Sequence, residues 1–440
     1  MAVRVGVVGL GYIGLPLVAA FASRGLQVTG LDIDAERVTL LNAGGSLPIH
    51  EPGVAETLSA HAGLISYTTS YDHLTANADV IFVTVGTPFS AEFGPDLSQI
   101  ERMTAALAEA MRPGLTICLK STVPPGTTRV VARRIEEISG LREGADFWVA
   151  FCPERTIEGR ALEELLSLPN IVGGISIDAS ARVAEVVRVL SGHVVTVDSP
   201  EVAEVCKLVD NSYRALAIAF ANEVGGVCEQ LGIDQHAVRD AVMEGYSRTQ
   251  LFKTGLGAGG PCLSKDPPVL AATAAMLGVA TPVLTAAVAS NVNATEAVAE
   301  RIEAFVRALP GSRVRVALLG LAFKGRPETN DVREGPAQII ARRLMPSLGE
   351  QVEFRLYDPI VTEFEGQSTT SLREAVDGAH VVAILTDHPA LQGIAASQLL
   401  AAAARPLLVV DAWHGLADPE AVIEAQVELV RLGDGSVSRR

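Results

Sequence analysis

Cysteine and histidine are sparse in this chain, five and eight among 440 residues. The cysteines, Cys118, Cys152, Cys206, Cys228 and Cys262, are odd in number, widely separated and never form a Cys-x-x-Cys pair. That argues against a disulfide framework or a thiolate zinc site and for a reducing compartment. The histidines show no ligand spacing, so no metal is expected. Basic charge is also short: 35 Lys and Arg against 51 Asp and Glu leave a net charge of −16. Such a chain has no general attraction for nucleic acid or an anionic membrane surface. Any anionic ligand must be held locally, by helix N-termini, glycine loops and single Lys or Arg residues. No stretch offers the roughly 18 consecutive apolar residues of a membrane span. The apolar N-terminus, MAVRVGVVGLGYIGLPLVAA, lacks the basic leader of a signal peptide. The expectation is a soluble cytoplasmic protein without nucleic-acid or membrane partners.

What the chain has is core material: 48% hydrophobic and 20% charged residues over a length that suggests two or three domains. Short apolar runs at 3–8, 27–31, 80–84, 115–119 and 147–150 read as strands. They alternate with amphipathic stretches such as 12–23, a pattern that predicts a parallel sheet wound with helices. From 199 to 231 the pattern becomes one long Ala/Val-rich helix, with Ser199 as cap and Pro200 in its first turn. Helical periodicity resumes to about 307 after a loop at 246–268. Strand candidates return at 314–319, 354–357, 381–385 and 407–410. The fold class expected is α/β, two Rossmann-like parallel-sheet domains joined by a mostly helical middle domain, with boundaries at 1–198, 199–307 and 308–440. Long apolar helices of this kind serve as dimer interfaces, so a homodimer is expected. The polar end, GDGSVSRR, predicts a loose tail.

Six motifs carry chemistry. Gly9-Leu10-Gly11-Tyr12-Ile13-Gly14 follows a strand and opens a helix, the context a dinucleotide fingerprint requires. Gly9 permits the turn, Gly11 lets backbone approach a pyrophosphate, and Gly14 lets the helix pack on the strand. Asp32 ends the second strand, where a carboxylate accepts from ribose hydroxyls and repels a 2′-phosphate, favouring NAD over NADP. Thr84-Val85-Gly86-Thr87-Pro88 and Ser121-Thr122-Val123-Pro124-Pro125-Gly126-Thr127 each follow a strand, as ligand loops do, although turn chemistry alone accounts for them equally well. Cys152-Pro153-Glu154-Arg155-Thr156-Ile157-Glu158-Gly159 sets two carboxylates four residues apart, able to supply a general acid or base and a clamp, or simply to start a helix. Lys207 and Asn211 share one helix face at i, i+4; they suit an oxyanion, but spacing alone favours a solvated lysine. Gly255-Leu256-Gly257-Ala258-Gly259-Gly260-Pro261-Cys262-Leu263-Ser264-Lys265-Asp266 places bare backbone, which lets a ligand approach, ahead of a cysteine with a lysine near enough to favour its thiolate. Gly320-Leu321-Ala322-Phe323-Lys324-Gly325-Arg326, with Arg333 further on, is a basic loop suited to a phosphate or uronate-like anion, or to solvent.

In this order the six motifs resemble the nucleotide-sugar 6-dehydrogenase family, the UDP-glucose and UDP-N-acetylhexosamine dehydrogenases. The match runs from GLGYIGLP to Tyr357-Asp358-Pro359, and GGPCLSKD and LGLAFKGR carry most of its specificity. The resemblance implies an NAD-binding domain, a helical dimerising middle and a C-terminal domain holding the nucleotide. It implies oxidation of a C6 alcohol to the carboxylate with two NAD. In that reaction Cys262 forms a thiohemiacetal and then a thioester, Lys207 and Asn211 stabilise the oxyanion, and Thr122 with Glu154 or Glu158 handles water and protons. Asp266 assists near Cys262. By the same resemblance Tyr12, Ile13, Arg37, Val85, Thr87, Thr122, Glu158, Lys265 and Arg333 join Gly9, Gly11, Gly14 and Asp32 around NAD. Glu154, Arg155, Lys207, Asn211, Gly259 and Lys324 contact the nucleotide sugar, with Arg248 as the candidate for an arginine offered by a neighbouring subunit.

A UDP-glucose 6-dehydrogenase-like activity is the first expectation, with UDP-N-acetylglucosamine, UDP-N-acetylmannosamine or dTDP-glucose as alternative substrates. Arg155 directly after Glu154 resembles the N-acetylated-sugar branch, whereas Lys265 before Asp266 resembles the glucose branch. A two-electron hydroxyacid-type dehydrogenase leaves Cys262 and the C-terminal α/β region unexplained. An inactive NAD- or nucleotide-sugar-binding regulator leaves unexplained why nucleophile, oxyanion donors and carboxylates occur together.

Overall fold

A computed structural model of the chain describes residues 3–45, 49–90, 94–309 and 313–436. The chain forms two compact units: Met1–Asp210 with Val269–Val279, and Asn211–Pro268 with Ala280–Arg440.

The first unit is built on eight strands: β1 (Val5–Val8), β2 (Val28–Leu31), β3 (Ile65–Thr68), β4 (Val80–Val83), β5 (Thr116–Leu119), β6 (Trp148–Phe151), β7 (Asn170–Gly174) and β8 (Val194–Val197). Their order across the sheet is β8-β7-β6-β5-β4-β1-β2-β3. The central strands are buried over their whole length. This is why they read as unbroken Val/Ile/Phe runs and not as alternating patterns. Helix α1 (Gly14–Ser23) follows β1 and buries nine of its ten residues, among them Leu15, Leu17, Val18 and Phe21. Phe21 packs on Phe82 of β4 with ring centroids 5.1 Å apart. Every adjacent pair is parallel except β6 and β7, which pair antiparallel through Ala150–Gly174 and Phe151–Gly173. The sheet expected to be parallel throughout therefore reverses at that one junction.

In the second unit β9 (Val314–Leu319), β10 (Val352–Tyr357), β11 (Val381–Ile384), β12 (Leu408–Asp411) and β13 (Glu428–Arg431) form an all-parallel sheet ordered β10-β9-β11-β12-β13. Val298, Ile302 and Val306 of a 27-residue helix, Pro282–Ala308, pack into its core beside Ile340 and Leu344.

The long middle helix, α2 (Pro200–Leu231), extends for 32 residues, and its residues pass from the first unit to the second between Asp210 and Asn211. Ser199 caps it as expected, its Oγ accepting from the Val202 amide at 3.4 Å. Helix α3 (Asp266–Met276) begins at the foot of the predicted 246–268 loop. The end of the chain departs from the loose tail expected of it. The Gly433 amide donates to Glu229 at 2.6 Å and the Gly435 amide to the Ile233 carbonyl at 3.0 Å, fastening residues 433–436 to the end of α2. The remaining residues of that predicted tail, 437–440, lie outside the described residues.

Candidate active site

In the first unit the candidate residues gather at the carboxyl ends of β1, β2, β4, β5 and β6. β1 lies between β4 and β2, so the direction of winding reverses beside it, and this is where an open α/β sheet leaves its ligand crevice. Gly9 adopts φ +92°, a left-handed turn a side chain would strain. A Cβ on Gly14 would stand 1.8 Å from the Gly9 carbonyl, whereas one on Gly11 would meet nothing within 4 Å. No side chain caps the start of α1 at Ile13, so its first amides are left to a ligand or solvent. The buried Asp32 carboxylate accepts from the Leu10 amide at 2.8 Å and the Asp34 amide at 3.0 Å. Arg37 binds the same carboxylate at 2.9 Å. The turn thus holds Asp32 oriented beside the fingerprint, with a cation next to it. Tyr12 and Ile13 lie within that turn.

The two hydroxyl-rich loops are knotted together. Thr87 Oγ1 donates to the Thr122 carbonyl at 2.6 Å, and Ser121 Oγ donates to the Val85 carbonyl at 2.6 Å. Val85, Thr87 and Thr122 are therefore brought together as expected. Thr128, beyond them, serves structure. Glu204 of α2, wholly buried, accepts from the amides of Gly126 and Thr128 at 2.6 and 2.9 Å and from the Thr128 hydroxyl at 2.6 Å, capping the helix Thr127–Ser139. Burial raises the Glu204 carboxyl above the usual range, against these hydrogen bonds.

The loop after β6 is held by three carboxylates. Glu154 Oε1 accepts from the amides of Arg155 and Thr156 at 2.7 and 2.8 Å. Glu51 accepts from the amides of Gly159 and Ala161, and Glu164 from that of Ile157. Glu158 is half-buried on this loop. Arg155 pairs with Asp210 at 3.3 Å. Lys207, buried and not solvated, contributes to the field at Glu154. Sequence reasoning passed over the closest partner: Lys120, buried at the end of β5, places its Nζ 3.4 Å from Glu154 Oε2 and 3.8 Å from Cys152 Sγ. Burial pushes the Glu154 carboxyl up, but Lys120, the Thr156 amide and Lys207 together bring it below the ordinary carboxylate range. Burial likewise works against the Lys120 charge, and the neighbouring Cys152 and Glu154 override it and raise the ammonium.

In the second unit Asn211 Nδ2 donates to Asp266 Oδ2 at 2.6 Å, and Lys265 Nζ lies 3.8 Å from Asp266 Oδ1. The Cys262 carbonyl accepts from the amides of Lys265 and Asp266, at 3.2 and 2.9 Å, so the cysteine stands on a tight turn at the start of α3 with its side chain exposed. Cys262, Lys265, Asp266 and Asn211 thus form one cluster. The preceding glycines have a different role from the expected one. A Cβ would meet Trp413 at 2.6 Å from Gly255, the Asn291 carbonyl at 2.2 Å from Gly257, Pro336 at 3.0 Å from Gly259 and Phe323 at 2.6 Å from Gly260. What approaches this bare backbone is the protein itself. Asn291 completes the support, accepting from the Ala258 amide at 3.0 Å and donating to the Ala215 carbonyl at 2.9 Å.

The basic loop after β9 is neutralised in part. Arg333 forks onto the buried Asp331 carboxylate, and Arg326 donates to the Asp387 carbonyl at 2.9 Å. Lys324 is half-buried, its Nζ 5.5 Å from the Phe323 ring centroid. Arg248 lies on an exposed segment over the Tyr246 ring, 4.8 Å from its centroid. Histidines that show no ligand spacing in sequence also meet: Asp234, His236 and His414 each offer one donor atom, all within 4.8 Å of one another. The two imidazoles stack with centroids 4.0 Å apart and planes at 30°, so their in-plane lone pairs run side by side and do not converge on one point. Burial, then the neighbouring His414, pushes His236 down to about 4, and burial with Arg431 lowers His414.

Comparison with known proteins gives a consistent result along the chain. Domain models of the UDP-glucose/GDP-mannose dehydrogenase family match residues 3–191 (NAD binding domain), 201–293 (central domain) and 317–418 (UDP binding domain). The UDP-N-acetyl-D-mannosamine dehydrogenase of Pyrococcus horikoshii is 34% identical over 404 residues, covering 89% of this chain and 91% of that protein. The enzyme of the same name from Escherichia coli strain K12 is 32% identical over 415 residues, covering 87% and 93%. Among solved structures, a UDP-D-ManNAc dehydrogenase from Pyrococcus horikoshii superposes with a TM-score of 0.88 at 32% identity, covering 99% of this chain and all of that one. A UDP-glucose dehydrogenase from Pyrobaculum islandicum gives 0.85 at 29% identity, covering 99% and 98%.

Proposed function

The chain belongs to the UDP-glucose/GDP-mannose dehydrogenase family and is an NAD-dependent nucleotide-sugar dehydrogenase, and from that premise we propose that it oxidises the C6 alcohol of a UDP-N-acetylhexosamine, of the UDP-N-acetylmannosamine type, to the carboxylate. The observation that carries this reading is the similarity over nearly nine-tenths of the chain to two enzymes named for UDP-N-acetyl-D-mannosamine. Arg155 immediately after Glu154 agrees with it. The reading replaces UDP-glucose as first choice; Lys265 before Asp266 and the likeness to the Pyrobaculum islandicum enzyme keep UDP-glucose as the second.

The residues around Gly11 and Asp32 fit a dinucleotide: open space over Gly11, uncapped amides at α1 and an oriented carboxylate for ribose hydroxyls. NAD⁺ bound there supplies a hydride acceptor. The overall change is R–CH₂OH + 2 NAD⁺ + H₂O → R–COO⁻ + 2 NADH + 3 H⁺. An aldehyde has no hydride to release to a second acceptor until a nucleophile adds, and a thiolate adds readily. Cys262 is that nucleophile. Its sulfur bonds to C6 of the aldehyde, and oxidation of the adduct yields a thioester. Water then adds, the C–S bond breaks, and the acid leaves with Cys262 restored. Asn211 and Lys207 stabilise the oxyanion at C6, with Asp266 orienting Asn211 through their hydrogen bond. Glu154 or Glu158, with Thr122, takes the proton of the attacking water. Lys324 holds substrate.

The protein acts as a homodimer in this reading. On α2 the exposed apolar residues Val202, Val209, Tyr213, Phe220, Val227 and Leu231 recur at spacings of seven and four, the stripe of a helix seam. A sedimentation result showing only monomer at micromolar concentration would remove that part of the reading.

The test is NADH formed per sugar consumed, with UDP-N-acetylmannosamine, UDP-N-acetylglucosamine, UDP-glucose and dTDP-glucose each as limiting substrate. Two NADH per UDP-N-acetylmannosamine, abolished in Cys262→Ala with NAD binding retained, is the expected result. One NADH per sugar, or full activity in Cys262→Ala, refutes the covalent route, and two NADH with UDP-glucose alone transfers the activity to the second reading.

A further inference from the structure

Lys120 has no place in the mechanism above, yet it is among the most completely buried charges of the first unit, its side chain 2% exposed. It stands one residue beyond β5, where the sequence shows only an ordinary lysine ahead of Ser121-Thr122. Its ammonium reaches across to the neighbouring strand end, 3.4 Å from Glu154 Oε2 and 3.8 Å from Cys152 Sγ. The two oxygens of Glu154 are divided between two tasks. Oε1 is taken by the amides of Arg155 and Thr156, which fixes the carboxylate to its own loop. Oε2 is buried, accepts no hydrogen bond among the described residues, and faces Lys120. A carboxylate with one oxygen anchored and the other charged and unshared has the form a proton acceptor needs, and a buried carboxylate keeps that charge only beside a compensating cation.

We infer that Lys120 is a positioning residue of the active site: its ammonium holds the Glu154 carboxylate in one orientation and in the charged form required to accept a proton from the attacking water. This rests on the reading of Glu154 as that acceptor. Lys207 is the second cation acting on Glu154. The thiols of Cys152 and Cys118 also lie against Lys120, and Lys120 with the Cys118 hydrogen bond draws the Cys152 thiol down. Lys120 therefore sets the charge state of both groups it touches, and Glu154 is the one with an oxygen to spare. Sequence spacing offers no hint of the pair, because 34 residues separate its members and only the side-by-side placement of β5 and β6 joins them.

The test compares wild type, Lys120→Met, Glu154→Gln and the double variant by two readouts. One is titration of the Glu154 carboxyl by ¹³C NMR of glutamate-labelled protein, assigned by its absence in Glu154→Gln. The other is the pH profile of kcat for acid formation. In Lys120→Met the carboxyl titration and the acidic limb of kcat are both expected to move upward by a pH unit or more. With the acceptor protonated, kcat near neutrality should fall by about tenfold or more. In the Glu154→Gln background Lys120→Met should then have no further effect. A titration unmoved by Lys120→Met, or losses that multiply in the double variant, overturns the inference. A titration that moves while the kcat profile stays in place overturns the role given to Glu154, and the inference with it, but leaves the ion pair standing. Should Lys120→Met alone fail to fold, recovery of folded protein on adding Glu154→Gln supports the pairing, and a double variant that also fails to fold refutes it.

Discussion

Replacing Gly11 by alanine separates a ligand's need for bare backbone from the fold's own. The new methyl would meet no heavy atom within 4 Å. The folded chain should tolerate it, and reduced freedom of the unfolded chain should stabilise by about 0.4–1 kcal/mol. The pyrophosphate of NAD has no such tolerance, because the methyl would occupy the space through which phosphate oxygens reach the uncapped amides of α1. Hydrogen bonds to a charged group contribute about 1.5–3 kcal/mol each. Loss of two amounts to about 3–6 kcal/mol, or roughly a hundred- to ten-thousandfold in Kd at about 1.4 kcal/mol per tenfold. The assay pairs a fluorescence titration of NADH with a urea melt. The expected outcome is a Kd raised at least about a hundredfold on a chain at least as stable as wild type. A Kd within a few-fold of wild type would refute the placement of the pyrophosphate over Gly11. A large loss of stability would refute the claim that the space there is reserved for a ligand.

Gly257→Ala should do the reverse. At φ +83°, with a Cβ forced to 2.2 Å from the Asn291 carbonyl, it combines left-handed strain with overpacking and should cost about 3 kcal/mol in a urea melt; a neutral result would return the glycine run to a ligand-approach role. Acid should also loosen the second unit. His236 is held near 4 when folded, against about 6.5 unfolded, so the unfolded chain binds more protons between those values. The contribution is whole above pH 6.5 and is lost as pH falls toward 4, by about 1–2 kcal/mol after allowance for partial exposure. Chemical denaturation at pH 7 and pH 4.5 should show this loss in wild type and a smaller one in His236→Phe; equal slopes in both would refute it.

What could be read ahead of the structure depended on how much of a residue's environment lies near it in sequence. Central strands such as β4, with all four residues buried, announce themselves as apolar runs. At or beside the sheet edges β3, reading ISYT, and β13, reading ELVR, are only partly covered, carry polar residues, and pass for loop. The fingerprint from Gly9 to Gly14 was legible because turn, helix and ligand site occupy one short segment. Lys120 was not, because its partner arrives on another strand. The glycines before Cys262 were misread for a different reason: bare backbone looks the same in sequence whether a ligand or Trp413 and Phe323 fills the space. The stacking of His236 and His414 is likewise an outcome of folding, joining residues 178 positions apart.

The Leu10 amide that closes on Asp32 has a counterpart in the second unit, where the Leu321 amide closes on Asp358 at 2.7 Å. In each unit a Gly-Leu turn leaves the first strand of its sheet and is caught by an aspartate leaving the neighbouring strand. The copies have diverged in what they leave unspent. Asp358 also accepts from the amides of Ala322, Ile360 and Val361; four donors saturate a carboxylate, and no valence remains for a ribose. Asp32 takes two amides and an arginine that a competing hydroxyl can push aside. One clasp, used twice, has become a rivet in one half of the chain and stayed a latch in the other. Nucleotide recognition by the second half must therefore be drawn from side chains away from the clasp, which leaves that half free to change its ligand without disturbing the turn that holds its sheet together.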